Sequence, residues 1–208
     1  MALPATRQLT FPSGDLTLVG VLHLPERTPA PGAVVCHPHP QYGGDMENNV
    51  VVAACRALAG RGFAALRFNF RGGGASEGAF DNGKGERDDV AAALAYLASL
   101  PEVDPKRIGL IGYSFGAMMA AEAASGDLRA LALISPPLAY SDLRVAWGCP
   151  ALVLGGEEDT LAPADRLRVV AEQPGVELTL VSGADHSWWG FEDELAGALG
   201  AFFERHFQ

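Results

Sequence analysis

The chain has 208 residues, 49% of them hydrophobic and 19% charged, the composition of one globular domain and not of a disordered or fibrous chain. Fifteen basic against 25 acidic residues leave a net charge of −10, which makes a poor binder of phosphate backbones and removes nucleic acid from the expected partners. No apolar run approaches the roughly 18 to 20 residues that span a bilayer, and the first residues, MALPATRQLTF, lack the basic start and apolar core of a signal peptide. A cytoplasmic protein without membrane attachment is expected. The three cysteines, Cys36, Cys55 and Cys149, form no CxxC pair and read as free thiols in a reducing compartment.

Taken in chain order, short apolar runs alternate with helical patterns. Strands are expected near residues 8–11 and over 16–24 and 33–37, the last ending at Pro38. Val51, Ala54, Cys55 and Leu58 recur at helical spacing, with Gly60 as the expected stop. A strand over 63–68 precedes a helix marked by Val90, Ala93, Leu94 and Leu97, with Glu86, Asp88 and Asp89 at its front, where the dipole favours anions. Strands follow over 108–113, 130–135, 151–155 and 176–181. An alanine-rich helix is expected over 117–124, and another opens at Pro163 and closes at Pro174-Gly175. Leu195, Ala198, Leu199 and Phe202 define the last, ending at Arg205 and His206. Most of the strands are continuously apolar, as in a parallel sheet covered on both faces. The alternation predicts one doubly wound α/β domain over residues 1–208, with no repeat and no linker.

Gly112-Tyr113-Ser114-Phe115-Gly116 stands between a predicted strand and a predicted helix. That is the context of a G-x-S-x-G nucleophile elbow, a strained turn that lifts a serine hydroxyl above the sheet edge. Side chains at 112 and 116 would collide there. The amide of Phe115 would meet the same spot at a helix N-terminus, which suits a developing negative charge.

A serine hydroxyl needs a base. Of five histidines only His186 and His206 lie downstream of Ser114. His206 closes the last helix, whereas His186 sits in a turn-rich loop after the strand at 176–181, so His186 is the expected base. The orienting acid should follow the strand at 151–155. Asp159 is the candidate, with Glu158 next and an N-terminal helix cap as its ordinary alternative. A second oxyanion donor is sought in His37-Pro38-His39-Pro40-Gln41-Tyr42-Gly43-Gly44-Asp45. Proline has no N–H, which leaves His39, Gln41 and Tyr42, with His39 favoured.

With HPHPQYGGD, FNFRGGGASEG, GYSFG, GGEEDTLAP and GADHSWWG in this order, nearly the whole chain resembles the α/β-hydrolase superfamily. It is similar to small single-domain hydrolases related to dienelactone hydrolases and bacterial carboxylesterases. The resemblance implies the α/β-hydrolase fold, a mostly parallel eight-stranded sheet flanked by helices on both faces. It also implies a Ser114–Asp159–His186 triad and no cofactor. HPHP stands where lipases carry HGGG, and Ser114 where dienelactone hydrolase carries cysteine.

Only about fifteen residues separate Ser135 from Cys149, too few for a cap domain, so an open cleft is expected. Tyr42, Phe115, Trp147, Trp188 and Trp189 are candidate apolar walls, with core packing as the alternative for each. Arg71 is expected to anchor its loop as an ion pair. The expected partner is a short-chain ester, and a homodimer is left open. Two rivals remain: a metal hydrolase using His37 and His39 with Asp45 nearby, and a non-catalytic binding protein on the same fold. Thioester or peptide cleavage by the same serine also stays open.

Overall fold

The computed structural model describes residues 5–143 and 147–208. Its strands are β1 (Ala5–Ser13), β2 (Leu16–Leu24), β3 (Ala30–Cys36), β4 (Ala64–Phe68), β5 (Val103–Tyr113), β6 (Ala130–Ile134), β7 (Ala151–Gly156) and β8 (Val176–Val181). Its α-helices are α1 (Asn49–Ala59), α2 (Lys84–Ser99), α3 (Phe115–Ala123), α4 (Ala164–Ala171) and α5 (Glu192–His206). The strands form one sheet in the order β1-β2-β4-β3-β5-β6-β7-β8. β2 pairs antiparallel with β1 and β4, and every other pairing is parallel. The expected eight-stranded α/β-hydrolase architecture is present.

Alternation along the central strands feeds two cores. Val34 and Cys36 of β3 and Leu110 of β5 point to the layer built by α2, α3 and α4. Ala33 and Val35 of β3 and Ile111 and Tyr113 of β5 point to the layer built by α1 and α5. Such two-sided burial explains the continuous apolar runs. No helix among the described residues is long and apolar enough to cross a membrane.

Some boundaries differ from expectation for local reasons. β5 begins at Val103, five residues earlier than its apolar run, because Val103 pairs with Ala30. α2 begins at Lys84, so Glu86 and Asp89 lie inside it and are buried. The Glu86 carboxylate accepts from the N–H groups of Asp81 and Gly83, both at 2.8 Å, and thereby caps the helix without a conventional N-cap side chain. Gly60 does end α1, but in a right-handed conformation.

Chain order reverses across β3 and β5, whose neighbours on the far sides are β4 and β6. A doubly wound sheet opens its ligand crevice at such a switch point, outside the carboxyl ends of the strands. The loops after β3 and β5 meet there.

Candidate active site

Ser114 follows β5 directly and takes φ +54° and ψ −119°, a conformation that costs a non-glycine residue roughly 1 to 3 kcal/mol. The fold holds it there. Its N–H donates to the Ile134 carbonyl of β6 at 2.9 Å, and its carbonyl accepts from Ala117 N–H at 2.9 Å. The turn is so tight that a Cβ at Gly112 would stand 2.1 Å from the Gly116 carbonyl oxygen. A Cβ at Gly116 would stand 2.5 Å from the carbonyl oxygens of Cys36 and His37. Glycine at both positions lets β5, α3 and the end of β3 converge on Ser114.

The loops after β7 and β8 bring Asp159 and His186 to the same place. His186 Nε2 lies 2.9 Å from Ser114 Oγ, and His186 Nδ1 lies 2.9 Å from Asp159 Oδ2 and 3.0 Å from Oδ1. An ionised carboxylate only accepts, so the imidazole proton belongs on Nδ1 and Nε2 keeps a lone pair for the hydroxyl. Asp159 Oδ1 also accepts from the N–H groups of Leu161 and Ala162, both at 2.9 Å. Burial pushes the Asp159 carboxyl upward, but bonding and charge from His186, with the Ala162 N–H and the Ser135 hydroxyl, outweigh it. The net effect holds the carboxyl below its ordinary value. Asp159 is therefore an ionised, nearly buried carboxylate, and its helix-capping bonds coexist with the contact to His186. The Tyr113 hydroxyl donates to the His186 carbonyl at 2.6 Å and ties the β8 loop to the end of β5. His206, the other downstream histidine, lies away at the end of α5, 3.3 Å from Glu177.

On the facing side, the three expected donors separate. Gln41 N–H donates to His39 Nδ1 at 3.2 Å and Tyr42 N–H to the His39 carbonyl at 3.0 Å. The His39 N–H meets no acceptor among the described residues, nor does the N–H of Phe115, the first residue of α3.

Of the candidate walls, Tyr42 is 87% exposed and Trp189 72% exposed. The Tyr42 ring lies 4.8 Å from the His39 ring, which lies 4.8 Å from both Phe115 and Phe80. Phe80 was missed in the sequence, although it lies just past the glycine-rich loop that follows β4. Trp188 is not a wall. It is fully buried, and its Nε1–H donates to Ser135 Oγ at 3.0 Å beneath the His186 loop. Trp147 is likewise buried and donates to the Ala121 carbonyl at 3.0 Å. In both, the indole N–H found an internal acceptor, so the ring packs inward. Arg71 anchors its loop as expected, through 2.8 and 3.0 Å contacts with the buried Asp89.

The His37/His39 metal reading fails on His37. Its Nδ1 lies 2.6 Å from the Pro38 carbonyl oxygen and its Nε2 accepts from Phe70 N–H at 3.0 Å, so neither ring nitrogen is left for a metal. Asp45 Oδ1 is occupied by Glu47 N–H at 2.8 Å.

A family model described as X-Pro dipeptidyl-peptidase (S15 family) matches residues 14–172. An uncharacterised protein of Rickettsia prowazekii is 34% identical over 185 residues, covering 82% of this chain and 77% of that protein. Among solved structures, an alpha-beta serine hydrolase homologue from Coxiella burnetii superposes with a TM-score of 0.86 at 31% identity, covering 94% of this chain and 96% of that one. A lidless a/b serine hydrolase from Xanthomonas campestris superposes with a TM-score of 0.88 at 30% identity, covering 97% and 95%. The family match spans β2 to α4 and takes in both the elbow and the Asp159 loop. With this match and this strand order, the chain belongs to the S15 family within the α/β-hydrolase superfamily.

Proposed function

We propose that the protein is a serine hydrolase that cleaves short-chain carboxylic esters through an acyl-enzyme. The observation that carries this reading is the continuous hydrogen-bonded chain Ser114 Oγ–His186–Asp159, with both links at 2.9 Å. In the proposed reaction Ser114 Oγ attacks the ester carbonyl as His186 Nε2 takes its proton. Asp159 stabilises the resulting imidazolium and fixes its tautomer. The oxyanion is received by the N–H groups of Phe115 and His39. Collapse expels the alcohol, which takes the proton from His186. Water activated by the same imidazole then attacks the acyl-Ser114 carbonyl and releases the acid. None of these steps needs a cofactor. The free thiols at Cys36, Cys55 and Cys149 support a reducing, cytoplasmic setting.

The preference for short chains rests on the short connection from Ile134 to Ala151 and on the aromatic shelf of His39, Tyr42, Phe80 and Phe115. Each buried methylene is worth about 0.8 kcal/mol, and an open shelf collects little of that beyond the first few carbons. Expected is a kcat/KM maximum between acetyl and about hexanoyl nitrophenyl esters, without a jump above the micelle concentration. A maximum at palmitoyl esters would contradict the reading. It would direct attention to the cavity of about 510 Å³ on the flank of α3, where Met118, Leu143 and Trp147 stand beside the charged Arg87, Glu122 and Asp142. The S15 match favours one second reading, peptide cleavage after Xaa-Pro, so Xaa-Pro anilides and a thioester belong in the same series. A higher kcat/KM on the anilides would replace esters by peptides as the substrate class.

A further inference from the structure

We infer that His37 is a positioning residue for the oxyanion hole: its hydrogen bond to the Pro38 carbonyl fixes the direction in which the His39 N–H points. The inference builds on the acyl-transfer reading above.

Pro38 C=O and His39 N–H belong to one peptide unit. The unit is planar and trans, so its carbonyl and amide point in opposite directions. His37 is fully buried, and its Nδ1–H reaches the Pro38 oxygen at 2.6 Å. The carbonyl is thus held against the protein interior and the amide faces away from it. His37 Nε2 accepts from Phe70 N–H at 3.0 Å, which requires the proton on Nδ1 and so selects the tautomer that donates to Pro38. Phe70 lies just past β4, and its ring packs edge-on against the imidazole at 4.8 Å. The ring therefore ties the loop after β3 to the loop after β4. Burial, against the favourable bond to Pro38, pushes the His37 imidazole down to about 4, so it stays neutral and both bonds persist at neutral pH.

The remaining freedom of the loop is small. Pro38 fixes its own φ, and Pro40 keeps His39 extended, at φ −59° and ψ 120°. The His39 carbonyl is held by Tyr42 N–H and Gly44 N–H, both at 3.0 Å. The motion left open is a flip of the Pro38–His39 peptide. A flip would turn a carbonyl oxygen towards the site where the oxyanion forms and replace attraction by repulsion. The Nδ1–H bond from His37 opposes that flip. Gly44 helps, because its Cα closes on the Pro38 carbonyl so tightly that a Cβ would stand 2.3 Å from the oxygen.

Two substitutions divide the ring's two bonds. In His37→Asn the side-chain amide nitrogen falls near the Nδ1 position and can donate to Pro38. In His37→Gln the side-chain oxygen falls near the Nε2 position, accepts from Phe70 and leaves the Pro38 carbonyl unheld. Expected is a loss in kcat of about 10²-fold for His37→Gln, the order associated with one oxyanion donor, with KM little changed. His37→Asn should recover most of that loss, although both variants show similar unfolding midpoints. A crystal structure of His37→Gln should show the Pro38–His39 peptide reoriented. Full kcat in His37→Gln, equal losses in both variants, or an unmoved peptide in that crystal would overturn the inference. An inactive wild type would overturn the acyl-transfer reading instead, and the peptide orientation in the variant would still decide the role of His37.

Discussion

The turn after β5 and the turn after β3 face each other across the switch point of the sheet, yet they are held by different means. The first is held locally: Ser114 is strained to φ +54° between two glycines, and the five residues that make the turn are consecutive. The second is held from a distance. His37 binds Phe70 N–H at 3.0 Å, Asn69 Oδ1 accepts from Met46 N–H at 2.8 Å, and Arg67 donates to the Met46 carbonyl at 2.8 Å. Arg67 in turn donates to His23 Nε2 at 3.0 Å. Backbone strain shapes the Ser114 side, whereas a buried side-chain network anchored on β2 and β4 shapes the His39 side. A five-residue motif is enough to specify the first, and only the assembled sheet specifies the second.

Breaking the elbow side should have the largest effect. Asp159→Asn keeps an oxygen for Leu161 and Ala162, so the fold should persist. The His186 tautomer loses its carboxylate partner, and kcat should fall by a factor on the order of 10⁴, the loss seen for the corresponding change in the best-studied serine triad. Steady-state kinetics beside a thermal melt would check this. A near-normal kcat would transfer the orienting role to Glu158, which is exposed, or remove it altogether.

The network on the other side should show itself in pH. Burial first, then the positive charges of Arg67 and Arg56, pushes the His23 imidazole from 6.5 down to about 4, and burial does the same to His37. A folded-state value below the unfolded one means that the unfolded chain binds protons first. Stability is therefore complete above pH ~6.5 and falls as pH drops towards about 4. His23→Gln should flatten the fall of the urea midpoint between those limits by one proton's worth. An unchanged slope would mean that His23 is protonated inside the folded network.

How far the site was legible follows the same division. That Ser114, Asp159 and His186 meet in one hydrogen-bonded chain could be read because each follows a strand end. For Asp159, capping and contact with His186 turned out not to be alternatives, since one carboxylate makes both sets of bonds. That the His39 N–H, of the three amides, is the one without an acceptor among the described residues needed the actual turn, in which Gln41 and Tyr42 spend their N–H groups on His39 itself. H-x-H at His37 and His39 is a local pattern that raises a metal rival, whereas the partner that decides against it, Phe70, is 33 residues from His37. Trp147 and Trp188 look like wall residues in the sequence, since spacing cannot tell an indole above a loop from one beneath it. The early start of α2 was hidden because its N-cap, Gly83, has no side chain: the Glu86 carboxylate reaches back to the Gly83 N–H, and Asp81 Oδ2 accepts from the Gly85 N–H.

The central claim, that Ser114 is the nucleophile, is tested most directly by mass spectrometry after reaction with a fluorophosphonate. Expected is one adduct per chain on Ser114, with ester hydrolysis lost in step with labelling and both absent in Ser114→Ala. An adduct on another residue, or full hydrolysis in Ser114→Ala, would contradict it.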